Sequence, residues 1–297
     1  MPPTPLVHAT GLTKDYGHFR ALDHLDLTIP PGEVFGLLGP NGSGKSTAIR
    51  IMLGMLRPSA GTAQIQGHDC WNDSVAVRKL VSYLPGELRL YDNLTGIQLL
   101  NFLAGLRGQP IAGDVEKLSK RFNIDIARPL SQLSSGMKRK IALMAVILAR
   151  TPLAILDEPT NTLDPTMRDE LLDQIREARD RGQTILFSSH VLHEVEAVCH
   201  RVGILRLGKL VHLQSLDDIR ARRRVKVQFQ KEPTAPLPPR VIAERNQLNW
   251  LLYIDGELQP TLEWLANNQV NELSIEPEGL SRIYQRYHAN DTEVVSS

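Results

Sequence analysis

The segment GPNGSGKST, residues 39–47, constrains the fold of this chain more than any other part of its sequence. The apolar stretch before it, EVFGLLG (33–39), lacks polar alternation and is typical of a strand buried within a sheet. The stretch after it, KSTAIRIMLGML (45–56), has the pattern of a helix. A buried strand, a glycine loop and a helix in succession predict an α/β domain, and strand and helix patterns alternate to about residue 214.

The glycine loop also fits the pattern G-x-x-x-x-G-K-[ST], which predicts a phosphate-binding loop between a strand and a helix. Its glycines let the backbone approach phosphate oxygens, while Lys45 supplies a charge to the terminal phosphates and Ser46 a hydroxyl ligand to magnesium. A glycine turn with a purely structural role would leave the Lys-Ser pair without a use. The predicted nucleotide contacts are Gly39, Pro40, Asn41, Gly42, Ser43, Gly44, Lys45, Ser46 and Thr47.

A second apolar strand, LAILDEPT (153–160), ends in two acids. Ligands of open α/β sheets bind at the carboxyl ends of the strands, so both acids are expected near the phosphates. We predict that Asp157 holds the magnesium shell through a water and that Glu158 is the base that polarises the attacking water. The alternative is a solvated Asp-Glu pair at the rim of the sheet.

The segment LSSGMKRK (133–140) is a polar turn that opens into an apolar helix. Free N–H groups at the start of a helix attract anions, which makes this turn a second candidate phosphate reader. An ordinary helix capped by a serine would have the same local sequence.

Together these segments resemble the ATP-binding subunit of an ABC transporter of the bacterial ABC-2 exporter type, over about residues 6–214. The resemblance implies a P-loop NTPase fold of the ABC ATPase type, with ATP and Mg²⁺ as ligands and ATP hydrolysis as the reaction. It also implies that LSSGM is the family signature, at which Ser134, Ser135 and Gly136 bind ATP held by a second subunit. Ser135 replaces the family's usual Gly, and Met137 replaces its Gln.

The same resemblance assigns roles to three further residues. Tyr16 matches the aromatic residue that stacks on adenine, and Asp164 matches an acid that couples the two sites across the subunit interface. His190 matches the histidine that contacts the γ-phosphate. The sequence departs from the family at Gly86, where a glutamine normally contacts magnesium. We predict Glu87 as the oxygen ligand in its place, with loss of this contact as the alternative.

The pattern predicts a nucleotide-binding domain over residues 1–214 with a helical subdomain at about 86–150, and a small α+β accessory or regulatory domain over 215–297. Further strands are expected at 153–158, 184–189 and 202–207, with a hairpin around Gly208, and further helices at 138–149, 167–182 and 191–199. In the second domain, a proline-rich loop follows VKVQF (225–229), and a strand, a helix, a strand and a helix are expected in turn at 249–254, 261–268, 272–276 and 279–288. The basic run RARRRVK (220–226) is interpreted as a solvated linker face, with contact to anionic lipid headgroups as an alternative.

Charge and hydropathy limit the function classes. The 34 Lys and Arg residues balance 33 Asp and Glu residues, so no global basic field indicates nucleic acid. The longest apolar run, 141–149, is shorter than the roughly 20 residues of a membrane span, and Cys70 and Cys199 form no disulfide framework. These features favour a cytoplasmic protein with reduced thiols.

The leading hypothesis is therefore an ATPase that powers a separate membrane permease, docked on the helical subdomain at the inner face of the membrane. Drug or antibiotic export fits the family best, with lipid, polysaccharide or ion export as alternatives. The working pair is either a homodimer or a heterodimer with a paralogous ATPase. The runner-up is a soluble ABC ATPase that acts on ribosomes or nucleic acid through RARRRVK and KRK. A third reading is a regulatory ATP-binding module without hydrolysis.

Overall fold

A computed structural model of the 297-residue chain describes residues 4–108 and 112–288. The chain separates into two compact units, Met1–Leu213 and Gln214–Ser297. The α/β fold expected for the first and the α+β fold expected for the second are both confirmed.

Strands and helices alternate through the first unit. The strands are β1 (Val7–Tyr16), β2 (Phe19–Ile29), β3 (Val34–Leu38), β4 (Ala60–Ile65), β5 (His68–Asp69), β6 (Val81–Leu84), β7 (Leu153–Asp157), β8 (Thr184–Ser189), β9 (Arg201–Arg206) and β10 (Lys209–Ser215). The helices are α1 (Lys45–Met52), α2 (Ser74–Leu80), α3 (Gly96–Arg107), α4 (Ala112–Arg121), α5 (Ser135–Leu148), α6 (Pro165–Asp180) and α7 (Leu192–Val198), with a 3-10 turn at Leu130–Gln132.

A six-stranded sheet in the order β10-β9-β3-β8-β7-β6 forms the centre of this unit. The neighbours from β9 to β6 run parallel, and β3, β7 and β8 are buried along their whole length, as their unbroken apolar sequences predict. Parallel pairing brings the carboxyl ends of β3, β8 and β7 to one edge of the sheet. The loop after Leu38, the acids at Asp157 and Glu158, and His190 therefore meet at that edge.

A second, antiparallel sheet in the order β2-β1-β4-β5 shares a core with α1 and the central sheet. Leu12 and Leu25 from this sheet, Ile49 from α1 and Phe35 from β3 are fully buried in one cluster. Full burial of such a side chain stabilises the fold by about 2 kcal/mol. The core therefore fixes α1, and with it the start of the helix after the glycine loop, against both sheets.

The helical segment predicted between β6 and β7 contains α3, α4 and α5. Thr95 starts α3 with a capping box, in which its Oγ1 accepts a hydrogen bond from the Gln98 N–H and the Gln98 side chain accepts one from the Thr95 N–H. Such a cap stabilises a helix by about 1 kcal/mol. The helix α5 begins at Ser135, three residues before its predicted start, because Ser134 caps it.

The second unit contains α8 (Leu216–Ala221), β11 (Arg223–Phe229), β12 (Val241–Asn246), β13 (Asn249–Ile254), α9 (Gln259–Ala266), β14 (Val270–Pro277) and α10 (Ser281–His288). Its antiparallel sheet has the order β12-β13-β11-β14, and Phe229, Trp250 and Trp264 pack edge-on or stacked in its core. The sequence interpretation missed α8 and β12. Most residues of β12 are exposed, and its turn to β13 uses Gln247 and Leu248 rather than Asn-Gly, so the hairpin signal is weak.

The run RARRRVK is not a linker, because it lies on α8 and β11, although Arg220, Ala221 and Lys226 are exposed. Four of its cations, Arg220, Arg222, Arg224 and Lys226, lie beside carboxylates of the second unit. Arg224 and Lys226 lie 2.6 and 3.1 Å from Glu276 oxygens, and Arg220 lies 3.0 Å from Asp217. Hydrogen bonds from Arg224 and Lys226 lower the pKa of Glu276 to about 2. These pairs reduce the positive charge that the run presents to an anionic partner.

A buried carboxyl group at the start of β3 predicts a pH dependence of stability. Glu33 is buried, and although Arg201 Nε lies 2.9 Å from its Oε1, its Oε2 finds no hydrogen-bond partner among the described residues. Burial raises the pKa of Glu33 from 4.5 to about 7, against the opposing effect of Arg201. Between these two pH values the folded chain holds a proton that the unfolded chain has lost, so stability falls as pH rises.

We therefore expect the thermal unfolding midpoint of the wild type to fall, relative to that of Glu33→Gln, between about pH 5 and about pH 8. Glutamine keeps the size of the side chain and cannot ionise, so it serves as the matched reference. Calorimetry of both proteins across this range measures the effect. Parallel profiles for the two proteins would contradict it.

Candidate functional site

The glycine loop joins β3 to α1, and its last glycine caps the helix. Gly44 has a φ of +109°, and a Cβ at this position would lie 2.6 Å from the Ala21 carbonyl oxygen, so both the backbone conformation and the packing require glycine. The first N–H groups of α1 lack partners within the helix and face the loop. The loop therefore forms an anion site of the predicted kind.

Lys45, the first residue of α1, is buried beneath the loop. Its ammonium group donates hydrogen bonds to the carbonyl oxygens of Gly39, at 2.6 Å, and Pro40, at 3.2 Å. Its Nζ also lies 3.4 Å from Glu158 Oε1. A buried ammonium group beside a carboxylate that is only 13% exposed offsets part of the free-energy cost of removing both from water. The pair joins the loop after β3 to the acids after β7.

Asp157, at the end of β7, is held by two hydroxyl groups. Ser46 Oγ donates to Asp157 Oδ2 at 3.2 Å, and Ser188 Oγ donates to Asp157 Oδ1 at 2.6 Å. Ser46 and Asp157 thus present adjacent oxygen atoms, the ligand type that Mg²⁺ prefers. The described residues contain no cluster of three or more His, Cys, Asp or Glu side chains around a metal position. A sparse oxygen set of this kind fits a magnesium ion that keeps waters and substrate phosphates as its other ligands.

Glu158 lies beside the predicted histidine. His190 Nδ1 is 2.6 Å from Glu158 Oε2, and the Glu158 N–H donates to Ser188 O and Oγ, both at 3.1 Å. The φ of Glu158 is +48°, in the left-handed region, which costs a non-glycine residue roughly 1–2 kcal/mol. This conformation sets Glu158 apart from Asp157 and turns its carboxylate toward Lys45 and His190. The structure therefore brings the side chains of Lys45 and His190 together on the Glu158 carboxylate.

The segment after β6 places Gly86, rather than Glu87, beside Asp157, the predicted metal ligand. A Cβ at Gly86 would lie 3.6 Å from Asp157 O and 3.7 Å from Asp157 Oδ2, which is ordinary van der Waals contact. A side chain at position 86 would therefore fit next to Asp157. Glu87 is exposed, and its role as a metal ligand stays a prediction.

A cavity of about 240 Å³ lies over the glycine loop and includes Glu158 and the tip of the β1–β2 hairpin in its lining. Tyr16 at the end of β1 contributes a ring that is 47% exposed, with Lys14 Nζ at 5.2 Å from the ring centroid. Phe19, which pairs with Tyr16 across the hairpin, also lines the cavity and was not predicted. One exposed aromatic residue at a hairpin gives no sequence signal that separates it from ordinary surface residues.

The signature segment and Asp164 lie on helix starts outside the lining of that cavity. Ser134 caps α5 by accepting a hydrogen bond from the Met137 N–H at 3.3 Å, and Asp164 caps α6 through the Met167 N–H at 2.9 Å. The two starts are close, since a Cβ on Gly136 would lie 3.0 Å from Thr162 O. Ser134 is thus a helix cap, as the alternative reading expects, and its assignment to ATP stays a prediction along with those of Ser135, Gly136 and Asp164.

The contacts of three buried residues around the site were not predicted, and one of the three, Arg139, was named only within KRK as a contact of the ribosomal or nucleic-acid alternative. Ser188 binds Asp157, and Glu194 accepts hydrogen bonds from Thr160 Oγ1 at 2.9 Å and Ser189 Oγ at 3.1 Å, which ties the turn after β7 to the turn after β8. Arg139 donates to the backbone of the turn after β7. The serine pair before His190 was the only feature of the sequence that indicated these contacts. Which residues the two serines bind depends on the order of the strands.

Comparisons with known proteins agree with this geometry. The sequence model of the ABC transporter family matches residues 22–161. The chain is 34% identical to the probable multidrug ABC transporter ATP-binding protein YbhF of Escherichia coli over 74% of its own length, but it spans only 39% of that relative. It is 32% identical to the bacitracin transport ATP-binding protein BcrA of Bacillus licheniformis, over 76% of this chain and 74% of the relative.

The fold has solved counterparts. A structure described as the ATP-binding subunit of an ABC transporter superposes with a TM-score of 0.67 at 30% identity, over 72% of this chain and 92% of its own. The glycine loop, the paired acids after β7 and the histidine after β8 all lie in the unit that contains the family match. The chain belongs to the ABC transporter family, among its ATP-binding proteins.

Proposed function

We propose that this chain binds and hydrolyses ATP and that it powers a separate membrane permease of the exporter type. The observation that carries the proposal is the meeting of Lys45, Ser46, Asp157, Glu158 and His190 at one edge of the central sheet in a chain of this family. A nucleotide site with only a structural role would not require both a lysine and a histidine on one carboxylate.

The side chains divide the hydrolytic chemistry among them. Lys45 and the N–H groups of the loop bind the terminal phosphates, and Tyr16 and Phe19 offer ring faces to the base. Glu158 accepts a proton from the attacking water, and His190, 2.6 Å away, orients the Glu158 carboxylate and contacts the γ-phosphate. Ser46 and Asp157 would hold Mg²⁺, with Glu87 as a further candidate ligand, and the bound ion would neutralise charge that develops on the phosphates.

A pair of chains completes the site in this proposal. Ser134, Ser135 and Gly136 at the start of α5 do not line the cavity over the glycine loop, and the N–H groups at this helix start would offer a second site for an anion. Two subunits arranged head to tail would place each signature segment on the ATP of the other, with Asp164 near the interface. The partner is either a second copy or a paralogous ATPase.

None of the helices described here is both long and apolar enough to cross a bilayer. The relatives named above are ATP-binding proteins of a probable multidrug transporter and of bacitracin transport. We propose a cargo of the drug or antibiotic type, with the chain held at the cytoplasmic face of the membrane by its permease. The paired cations of the basic run do not favour the ribosomal or nucleic-acid alternative.

The proposal predicts which proteins accompany the chain in cells. Glu158→Gln protein, purified with ATP from detergent-solubilised native cells, should carry with it a hydrophobic protein of several membrane spans, identified by mass spectrometry. The matched control is the Lys45→Ala protein, in which the ATP-dependent pair should not form. Recovery of ribosomal proteins or nucleic acid without a membrane protein would refute the permease assignment and favour the alternative.

A further inference from the structure

One buried arginine joins α5, called the signature helix because it begins within the signature segment, to the turn that carries the proposed base. Arg139 lies in α5, shortly after the signature segment, and is only 3% exposed. Its guanidinium group donates to the carbonyl oxygens of Pro159 at 2.7 Å, Gly86 at 2.9 Å and Asp157 at 3.3 Å, and also to that of Glu158. Four backbone carbonyls from two separate segments thus converge on one side chain.

Burial of the Arg139 guanidinium group costs free energy that its contacts offset only in part. A buried guanidinium group loses its hydration, and neutral carbonyl oxygens return less of that free energy than a carboxylate partner would. An apolar side chain of similar size would fill the same space without that loss. The planar fork of arginine presents several N–H donors at fixed angles, which suits it to hold several acceptors in one arrangement.

The four acceptors border the reacting groups. Asp157 and Glu158 carry the proposed metal ligand and base, and Glu158 has the left-handed backbone conformation described above. Gly86 lies beside Asp157 in the segment that leads from β6 toward the helical subdomain. A shift of α5 would therefore act on both sides of the site through a single side chain.

We infer that Arg139 is a positioning residue through which α5, the signature helix, fixes the backbone of Glu158. The orientation of the Glu158 carboxylate then depends on the position of this helix. This inference rests on the proposed function, in which Glu158 is the base. It assigns the signature helix an effect on the chain's own base, in addition to its proposed contact with the nucleotide of a second subunit.

The test compares turnover and ATP binding in Arg139→Met, Arg139→Lys and Lys140→Met. Lys140 is the matched control, since it is the next residue of α5 and donates at 3.0 Å to Phe122 O, away from the turn after β7. In Arg139→Met we expect kcat to fall roughly 10- to 100-fold, as a small displacement of a reacting group does. The dissociation constant for ATP should stay within about twofold, because no phosphate contact is removed.

Arg139→Lys should recover part of kcat, since an ammonium group supplies three donors from a single point. Lys140→Met should resemble the wild type in both measurements. Wild-type kcat in Arg139→Met would overturn the inference, and so would equal losses of kcat and ATP affinity, which indicate a general packing role.

Thermal unfolding of each variant separates loss of fold from loss of position. If Arg139→Met does not fold, Arg139→Lys decides: lower kcat at unchanged ATP affinity supports the inference, and wild-type kcat overturns it. Failure of the proposed function has a different signature, namely no Mg²⁺-dependent turnover in the wild-type chain. That result would remove the base and with it this role of Arg139.

Discussion

Replacement of Lys45 by alanine is expected to abolish ATP turnover and to weaken ATP binding below detection. Lys45 is the only cation that the described residues place on both the glycine loop and Glu158, with Nζ 2.6 Å from Gly39 O and 3.4 Å from Glu158 Oε1. Its charge is buried, so little solvent screens its attraction for the terminal phosphates. The measurements are equilibrium binding of ATP and steady-state release of phosphate.

The matched control for this change is Lys120→Ala, since Lys120 is exposed on α4 and its removal should leave both measurements unchanged. Thermal unfolding must accompany the comparison, because the alanine variant leaves the largely buried Glu158 carboxylate without its cation. Wild-type turnover in a folded Lys45→Ala protein would contradict the assignment of the glycine loop as the phosphate site.

The Glu158→Gln protein should bind ATP but stall before hydrolysis. Glutamine matches the size of glutamate and can still hydrogen-bond to His190, 2.6 Å away, so the site should keep its shape. It cannot accept the proton of the attacking water, and loss of a general base typically lowers the rate by 10²- to 10⁴-fold. Because ATP then persists between paired subunits, sizing in ATP and Mg²⁺ should show a dimer.

Glu116→Gln is the control for this experiment, because Glu116 is an exposed carboxylate on α4 outside the site. It should hydrolyse ATP at the wild-type rate and show no accumulated dimer. A Glu158→Gln protein that hydrolyses ATP rapidly as a monomer would count against both the base and the dimer. Slow hydrolysis without a dimer would retain the base and exclude the head-to-tail pair under these conditions.

Several parts of the fold follow directly from local sequence. The strands β3, β7 and β8 were predicted because buried parallel strands require unbroken apolar runs, and their observed bounds lie close to the predicted ones. The hairpin at Gly208 was predicted from its glycine and is present between β9 and β10. The sequence prediction missed β12, because exposure removes the apolar pattern of that strand. It also placed the start of α5 too late, because the cap at Ser134 extends the helix.

The sequence by itself determined the chemistry of the nucleotide loop and the acids that serve it. Each of these motifs is contiguous, and its residue types have few other uses at that spacing, so the glycine loop and the Asp157-Glu158 pair could be recognised without coordinates. The tertiary structure alone decided which groups meet. The order β3-β8-β7 brings Lys45, Glu158 and His190 together from three distant segments.

Tertiary structure also decided the roles of residues whose types are uninformative. Arg139 and Phe19 carry no motif of their own that indicates a site, and Arg224 and Lys226 of RARRRVK pair with Glu276, about fifty positions away in the sequence. Partners of this kind depend on long-range packing, which no local pattern encodes. Local sequence therefore specifies the candidate reacting groups, whereas the packing of distant segments specifies the distances between them and their orientation.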